Sequence, residues 1–174
     1  MAVALPARRK RALIKCIAGQ DGSYLPELLL SKDYEVPGIK RRSSGFNTER
    51  VPPLISEWHE PNISFFLPFG DLSDATSLSS LPDRIAPDEI DHWGVQDHGR
   101  VSLDIPEFTG DITALGTSRL LEAIRETGSP ARFHTAVNSE RFGPARECLQ
   151  TASTPFRPRT LQACAKPYIL EVDP

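Results

Sequence analysis

A short loop with two spaced glycines is the part of the chain best suited to binding a charged ligand. Gly19 and Gly22 follow the apolar run 12–14 and precede a segment with helical periodicity. A strand, a glycine loop and a helix start let backbone N–H groups approach a phosphate. The full pattern would place another glycine at Cys16, so the sequence predicts a dinucleotide site whose first glycine is replaced. Its candidate lining residues are Cys16, Ala18, Gly19, Gln20, Asp21 and Gly22.

A basic cluster follows the second strand candidate, where a dinucleotide fold contacts the adenosine ribose. Arg41 and Arg42 supply guanidinium groups, and Ser43 and Ser44 supply hydroxyls. An acidic residue at this point favours a free 2′-hydroxyl, whereas arginine suits a 2′-phosphate. The cluster therefore favours NADP over NAD, and the alternative is an ordinary solvated basic loop.

Four potential metal ligands lie close together in the sequence at Asp91, His92, Asp97 and His98. Zinc and iron accept these side-chain types. Their spacing matches none of the common helical metal motifs. We therefore predict no metal site here.

The apolar periodicity predicts how these groups are positioned. Strand-like runs alternate with helix-like segments, which is typical of βαβ units and a parallel sheet. The predicted strands cover 11–17, 34–39, 63–67, 88–90 and 131–137. The predicted helices cover 22–32, 74–85 with a break at Pro82, 106–127 with Leu115 on the apolar face, and a proline-interrupted stretch near 160–170. The fold class is α/β, a Rossmann-like parallel sheet of about five strands with flanking helices.

The composition of the chain indicates its compartment and which kinds of binding partner to expect. The chain has 174 residues, a net charge of −3 and three cysteines without a disulfide framework. We expect a basic tail over 1–10 and one domain over 11–174, in the cytoplasm. Nothing in the charge or hydropathy predicts binding to nucleic acid or to a membrane.

Several runs in the chain closely resemble the GDP-mannose 4,6-dehydratase family. They cover 19–25, 38–44, 46–50, 70–74, 87–90, 114–117 and 119–125, and a weaker similarity continues to about Tyr168. The resemblance spans about the N-terminal half of a typical member. It implies a Rossmann domain that binds NADP, and a substrate, GDP-mannose, held mainly by a C-terminal region that is missing here.

The resemblance also assigns roles to individual residues. In the family reaction a tyrosine accepts a proton from the sugar, a lysine four residues later supports it, a threonine holds the sugar oxygen and a glutamate is a second base. The matching positions here are Gln162, Lys166, Asn138 and Glu140. Glutamine has no ionisable proton, so the tyrosine's role is lost. Pro167 is expected to push Lys166 away from helical geometry.

The resemblance adds further cofactor contacts. Asp71 and Leu72 match the adenine-binding run, Gln96 matches the loop after the fourth strand, Phe108 replaces a tyrosine, and Lys166 would contact the nicotinamide ribose. Three hypotheses follow. The chain is an active NADP-dependent dehydratase, or a non-catalytic relative that binds NADP or pairs with another subunit as a homo- or hetero-oligomer, or an eroded sequence without a stable fold.

Overall fold

The computed structural model describes residues 8–43, 50–51, 64–94, 99–144 and 149–170. Five strands form one parallel sheet in the order β3-β2-β1-β4-β5. The strands are β1 (Ala12–Lys15), β2 (Val36–Ile39), β3 (Phe65–Phe66), β4 (Glu89–His92) and β5 (Arg132–Thr135). This parallel sheet confirms the predicted Rossmann-like class. Parallel strands need crossover connections, and the helical segments between the apolar runs supply them.

Helices cover both faces of the sheet, and in the described ranges they connect β1 to β2, β3 to β4 and β4 to β5. They are α1 (Gln20–Ser31), α2 (Ala75–Ser79), α3 (Leu81–Ile85), α4 (Gly99–Asp104), α5 (Pro106–Gly110), α6 (Gly116–Glu126) and α7 (Leu161–Leu170). A π-helical turn, Asp111–Leu115, joins α5 to α6, and a 3₁₀ turn covers Ser139–Phe142. The first helix begins at Gln20, two residues before the predicted start at residue 22, and Cys16 lies in the loop between β1 and α1.

The core lies on the two faces of the sheet. Side chains of β1 alternate between the faces, with Leu13 on one and Ile14 on the other. One face packs Leu13, Ile39, Leu72, Leu78, Leu81, Ile85, Ile90 and Leu120 together. The other packs Ala12, Ile14, Ile17, Leu29, Val36, Val51 and Phe65. Strand β1 is buried throughout and therefore fixes the position of the loop that follows it.

Two prolines, Pro82 and Pro37, test the sequence-based expectations. Pro82 breaks the segment 74–85 into α2 and α3, as predicted. Pro37 lies inside the interior strand β2, where it removes one ladder donor. The ladder continues around it, because the Val36 N–H donates to the Ser64 carbonyl at 2.6 Å and the Glu35 N–H to the Lys10 carbonyl at 2.8 Å.

Two helical expectations are wrong. Helix α7 runs through Pro167 instead of being interrupted, and Lys166 is only 4% exposed and faces inward. Leu115 was expected on the apolar face of the long helix, but it is 46% exposed, whereas Leu120 is fully buried. The π-helical turn rotates residues before Gly116 relative to those after it, because each π turn adds a residue to the helical repeat.

The N-terminal end of the sheet is anchored by ion pairs. Residues 1–7 of the predicted basic tail lie outside the described residues. Arg8 contacts the Asp88 carboxylate at 2.8 Å, and Arg11 contacts the Glu35 carboxylate at 2.5 Å. These contacts hold the start of β1 against its neighbours, at the edge of the sheet opposite the glycine loop.

Candidate functional site

A cleft of about 400 Å³ opens at the carboxyl ends of the strands. In the order β3-β2-β1-β4-β5, successive strands extend the sheet to one side of β1 as far as β3 and then to the other side from β4 onward. Ligands of open α/β sheets bind outside the carboxyl ends of the strands at such a switch point. The cleft is lined by Lys15, Cys16, Ala18, Gly19, Ile39, Lys40, Arg41, Asp71, Leu72, Gly94, Phe108 and Ile112. Seven of the predicted cofactor residues are among them: Cys16, Ala18, Gly19, Arg41, Asp71, Leu72 and Phe108.

The glycine loop makes a tight turn around Cys16. The Gly19 N–H donates to the Cys16 carbonyl at 2.9 Å, and Cys16 has φ = 69°, the left-handed region that favours glycine. A β-carbon at Gly22 would lie 2.2 Å from the Cys16 oxygen, so this position requires glycine. Cys16 therefore keeps the backbone conformation of a glycine while it carries a side chain into the cleft.

The start of α1 faces the same cleft. Gly19 caps the helix without a side-chain hydrogen bond, and Gln20 and Asp21 lie exposed in the first turn. The first N–H groups of a helix have no intrahelical partner and carry the positive end of the helix dipole. The loop and the helix start can therefore receive a phosphate group.

Lys15 is a site residue that our sequence analysis did not assign. It ends β1, lines the cleft and is only 8% exposed. Burial lowers the pKa of Lys15 below its ordinary value of 10.5, and the nearby charges of Cys16 and Asp71 partly oppose this shift. The sequence signal that could have identified it is a lysine at the end of an apolar strand, directly before Cys16. Lys15 adds a positive charge to the cleft.

The basic cluster lies at the β2 end of the cleft. Arg41 lines the cleft and is exposed. The Arg42 guanidinium lies 4.8 Å and the Lys40 ammonium 4.7 Å from the centre of the Phe69 ring. Ser43 is exposed beside them, and Ser44 lies outside the described residues. Two cations stacked on one half-exposed ring concentrate positive charge at this end of the cleft.

Asp71 and Leu72 follow β3 and connect two cavities. Asp71 lines the main cleft and a neighbouring cavity of about 640 Å³ that also includes Arg42 and Phe69. Its carboxylate accepts hydrogen bonds from the Ser73 N–H at 3.0 Å and the Ser73 hydroxyl at 2.9 Å. Leu72 is 2% exposed. A β-carbon added at Gly116 would lie 2.6 Å from the β-carbon of Leu72, so the two residues pack closely. The segment is thus held rigidly beside the cleft.

The predicted catalytic residues lie near α7 and do not line the cleft. Gln162 and Lys166 are 5% and 4% exposed and share one helix face at a spacing of four residues. Glu140 is exposed and accepts a hydrogen bond from the Thr160 hydroxyl at 3.0 Å. The side-chain amide oxygen of Asn138, Oδ1, is buried without a hydrogen-bond partner among the described residues. Gln96 lies outside the described residues.

His92 is a second buried group that the sequence analysis did not place in the site. It is fully buried at the end of β4, and its Nε2 lies 2.8 Å from the Thr117 hydroxyl oxygen. That hydroxyl donates to the Thr113 carbonyl at 2.8 Å, so His92 Nε2 is the donor to Thr117. Burial, followed by the charges of Lys15 and Lys166, lowers the pKa of His92 to about 3. His92 is therefore neutral near pH 7.

Two further observations concern metals and membranes. Within the described ranges, no group of three or more His, Cys, Asp and Glu side chains is arranged to hold a metal ion. Asp97 and His98 lie outside those ranges, and Asp91 contacts His134 at 3.2 Å. Among the helices described, none is long and apolar enough to cross a membrane.

Solved structures support the fold. A UDP-Glc/GlcNAc 4-epimerase from Campylobacter jejuni aligns with a TM-score of 0.80 at 22% identity, over 93% of this chain and 47% of the epimerase. The Bordetella bronchiseptica enzyme WbmH, solved in complex with NAD+, aligns with a TM-score of 0.76 at 20% identity, over 94% of this chain and 52% of its own. At these identities the likeness shows the fold alone.

Sequence comparisons show the family. The model of the GDP-mannose 4,6 dehydratase family matches residues 13–171. GDP-mannose 4,6-dehydratase of Yersinia enterocolitica is 51% identical over 91% of this chain, and that of Vibrio cholerae is 48% identical over 92%. The chain spans only 43% and 44% of the lengths of these two relatives. The chain belongs to the GDP-mannose 4,6-dehydratase family.

Proposed function

We propose that this chain is a non-catalytic member of its family that binds NADP in the cleft and does not convert GDP-mannose. The observation that carries the proposal is Gln162, buried on α7 at the position that the resemblance gives to the proton-accepting tyrosine. An amide has no ionisable proton at neutral pH and cannot act as a general base.

The residues of the cleft fit a phosphate-rich dinucleotide. Its volume of about 400 Å³ lies in the ~300–1,000 Å³ range of ligand pockets. The start of α1 would hold the diphosphate, Arg41, Arg42 and Ser43 the 2′-phosphate, and Asp71 with Leu72 the adenine. When bound, NADP would supply a hydride acceptor. On this proposal the chain retains the binding half of the family's machinery.

The proton-transfer half is incomplete. Lys166 keeps its position on α7, but its role is to support a tyrosine that is absent at Gln162. Glu140 is exposed, and its carboxylate accepts a hydrogen bond from the Thr160 hydroxyl. This environment is typical of a surface carboxylate and not of a general base held against a substrate. Catalytic groups that act as a unit lose most of their effect when one member is removed.

GDP-mannose is the substrate that the family resemblance implies. We propose that this chain does not convert it, because Gln162 cannot accept the proton that the tyrosine would accept. We place the chain in the cytoplasm, since Cys16 and Cys164 are both free thiols.

Binding and turnover are tested on the same preparation. Melting of the purified chain should be cooperative, and NADPH should raise the melting temperature in a saturable manner, because a ligand that binds only the folded state stabilises it. Incubation with GDP-mannose and NADP+ should give no GDP-4-keto-6-deoxymannose by mass spectrometry. Product from the wild-type chain would overturn the non-catalytic assignment, and a folded chain unaffected by NADPH would overturn the binding assignment.

The variant Gln162→Tyr separates two causes of inactivity, the lost tyrosine and the replacement of the family's threonine by Asn138. Restoring the tyrosine alone should not restore turnover, because Asn138 still differs from the threonine that holds the sugar oxygen. Turnover by the Gln162→Tyr variant would show that the tyrosine alone was limiting. An unchanged NADPH-dependent shift in the variant would confirm that it is folded and loaded.

Subunit pairing is a second candidate function, and one observation favours it. Leu103 on α4 and Ile105, two residues further along the chain, are 66% and 51% exposed, and α4 packs against α7, where Leu161 is 46% exposed. Exposed aliphatic side chains on neighbouring elements are typical of interfaces. Sedimentation velocity should then show a dimer that Leu103→Glu converts to a monomer, whereas a monomeric wild type would exclude homo-oligomeric pairing.

A further inference from the structure

Cys16 carries a free thiol into the cleft beside the start of α1. The residue is partly exposed and lines the cleft. A β-carbon added at Gly19, which caps α1, would lie 3.3 Å from the Cys16 sulfur atom. The sulfur therefore lies against the helix start, whose first N–H groups have no intrahelical partner. A glycine at this position would have no side chain, so the thiol is a group of the cleft that dinucleotide binding does not use.

Lys15 supplies a buried ammonium group next to this thiol. It directly precedes Cys16, lines the cleft and is only 8% exposed. Within the described part of the chain, its side chain makes no hydrogen bond and no ion pair. The charges of Cys16 and Asp71 act on it, and both of these residues also line the cleft. Burial of an ammonium group without a partner is unfavourable, so Lys15 points to an anionic ligand in the cleft.

Cys164 shows that the surroundings of Cys16 are particular to the cleft. Its thiol is also free and is exposed on α7, and it is not among the described residues that line the cleft. A reagent that reacts with exposed thiols in general should modify Cys164. A reagent that the cleft selects should favour Cys16, so the chain contains its own reference thiol.

We propose that Cys16 is a modification site that takes an anionic low-molecular-weight thiol as a mixed disulfide, and that this adduct closes the cleft to the dinucleotide. The closure rests on the proposed function, since it concerns the ligand of the same cleft. Lys15 and the N–H groups at the start of α1 hold the carboxylates of the adduct, as they would hold a diphosphate. The adduct and the dinucleotide compete for the same groups.

The modification is a thiol–disulfide exchange. The Cys16 thiolate attacks one sulfur of a small disulfide, and a new S–S bond of about 2.05 Å forms. The original S–S bond breaks, the second sulfur leaves with its electron pair, and the proton that Cys16 lost ends on this leaving thiol. The small disulfide is the oxidant, and a dithiol reductant reverses the reaction. Because the Cys16 sulfur lies against Gly19, the adduct begins where the diphosphate would bind.

Peptide mass spectrometry of the treated chain tests the modification. The probes are glutathione disulfide, whose halves each carry two carboxylates and one ammonium group, and the neutral hydroxyethyl disulfide. The rate ratio of the two probes at Cys16 is compared with the ratio at Cys164 in the same molecules at low ionic strength, and Cys148, outside the described residues, is read separately. We expect Cys16 to favour the anionic probe by at least about threefold relative to Cys164, because a cation attracts it into the cleft.

Three variants assign this preference to Lys15. Lys15→Met removes the ammonium group, and Lys15→Arg keeps a positive charge. Lys10→Met removes a lysine at the opposite end of the same strand, about 16 Å away at ~3.3 Å per residue. Only Lys15→Met should lower the ratio at Cys16, by about threefold. Each variant's cooperative melting confirms its fold, and an unchanged ratio in Lys15→Met would overturn the role of Lys15.

Melting with NADPH tests the closure. The wild-type chain treated with glutathione disulfide should lose its NADPH-dependent shift in melting temperature, and dithiothreitol should restore the shift. In the variant Cys16→Ser, the same treatment should leave the variant's own NADPH shift unchanged, because its remaining adducts are not on Cys16. If Cys16→Ser does not melt cooperatively, the reversal by dithiothreitol in the wild type decides the closure.

The outcomes separate the two proposals. If Cys16 stays unmodified while Cys164 reacts, or if a modified Cys16 leaves the NADPH shift intact, the inference is wrong and the proposed function stands. If the untreated folded chain shows no NADPH shift, the proposed function fails and the closure fails with it. The mass spectra still decide the modification of Cys16 in that case.

Discussion

The carbonyl oxygen of Cys16 lies so close to Gly22 that a β-carbon at Gly22 would come within 2.2 Å of it. This contact joins the end of β1 to the first turn of α1, and it positions the N–H groups that would receive a diphosphate. Because the approach is backbone to backbone, it cannot be relieved by a rotamer change.

The substitution Gly22→Ala should therefore lower the free energy of unfolding by at least about 2 kcal/mol and abolish the NADPH-dependent melting shift. Gly110→Ala is the matched control, because a β-carbon there meets nothing within 4 Å. It lies in α5 and should stabilise the chain by up to about 1 kcal/mol. Chemical denaturation measures both, and equal effects of the two substitutions would contradict the contact.

The substitution Cys16→Gly should improve both stability and binding. Cys16 has φ = 69°, which costs a side-chain-bearing residue about 1–2 kcal/mol. After the entropy loss of glycine, the variant should gain up to about 1 kcal/mol, and its Kd for NADPH should fall several-fold. Cys164→Gly, inside α7, should instead lose about 1 kcal/mol. A destabilised Cys16→Gly variant would refute the strain at this position.

The substitution Lys15→Met should stabilise the unliganded chain while weakening NADPH binding. At neutral pH it removes a buried ammonium group, which should raise the free energy of unfolding by about 1–3 kcal/mol. Between the lowered folded-state pKa of Lys15 and its ordinary value of 10.5, the unfolded chain binds more protons, so wild-type stability rises with pH. The advantage of the variant should thus shrink as the pH approaches 10. An advantage that is constant with pH would show that Lys15 does not titrate in this range.

His92 should make the chain sensitive to mild acid. Its pKa is about 3 in the folded state and about 6.5 in the unfolded chain, so the stability is fully present above pH 6.5 and is lost as the pH falls toward 3. Between pH 7 and pH 4.5 this residue alone should cost about 2–3 kcal/mol. His92→Leu should lose less stability than the wild type over that interval in urea titrations. Parallel pH profiles for the two proteins would contradict a neutral buried His92.

The strands and the cleft were predictable from the sequence because their signals are local. The apolar runs around Ile14, Ile39 and Ile90 mark buried parallel strands, and the glycines at 19 and 22 mark the turn at the end of β1. The carboxyl ends of parallel strands meet at one edge, so Arg41 and Asp71 could be expected beside the glycine loop.

The buried charges were not predictable, because burial depends on the packing of distant elements. Lys15 and His92 are polar residues at strand ends that a sequence pattern assigns to solvent as readily as to a site. Lys166 was expected to turn away because Pro167 follows it, but packing of α7 against α5 and the π-helical turn overrides the local preference. The exposure of Leu115 likewise follows from a π-helical turn that no apolar periodicity encodes.

Amide chemical shifts of the isotope-labelled chain during an NADPH titration test the central claim most directly. The account predicts saturable shifts at Lys15, Gly19 and Gly22, on the edge of the sheet that carries the cleft, with little change at Lys10 and Arg11 at the opposite end of β1. A folded chain that shows no saturable shifts at these three residues, or shows them only at the Lys10 end, would contradict the account.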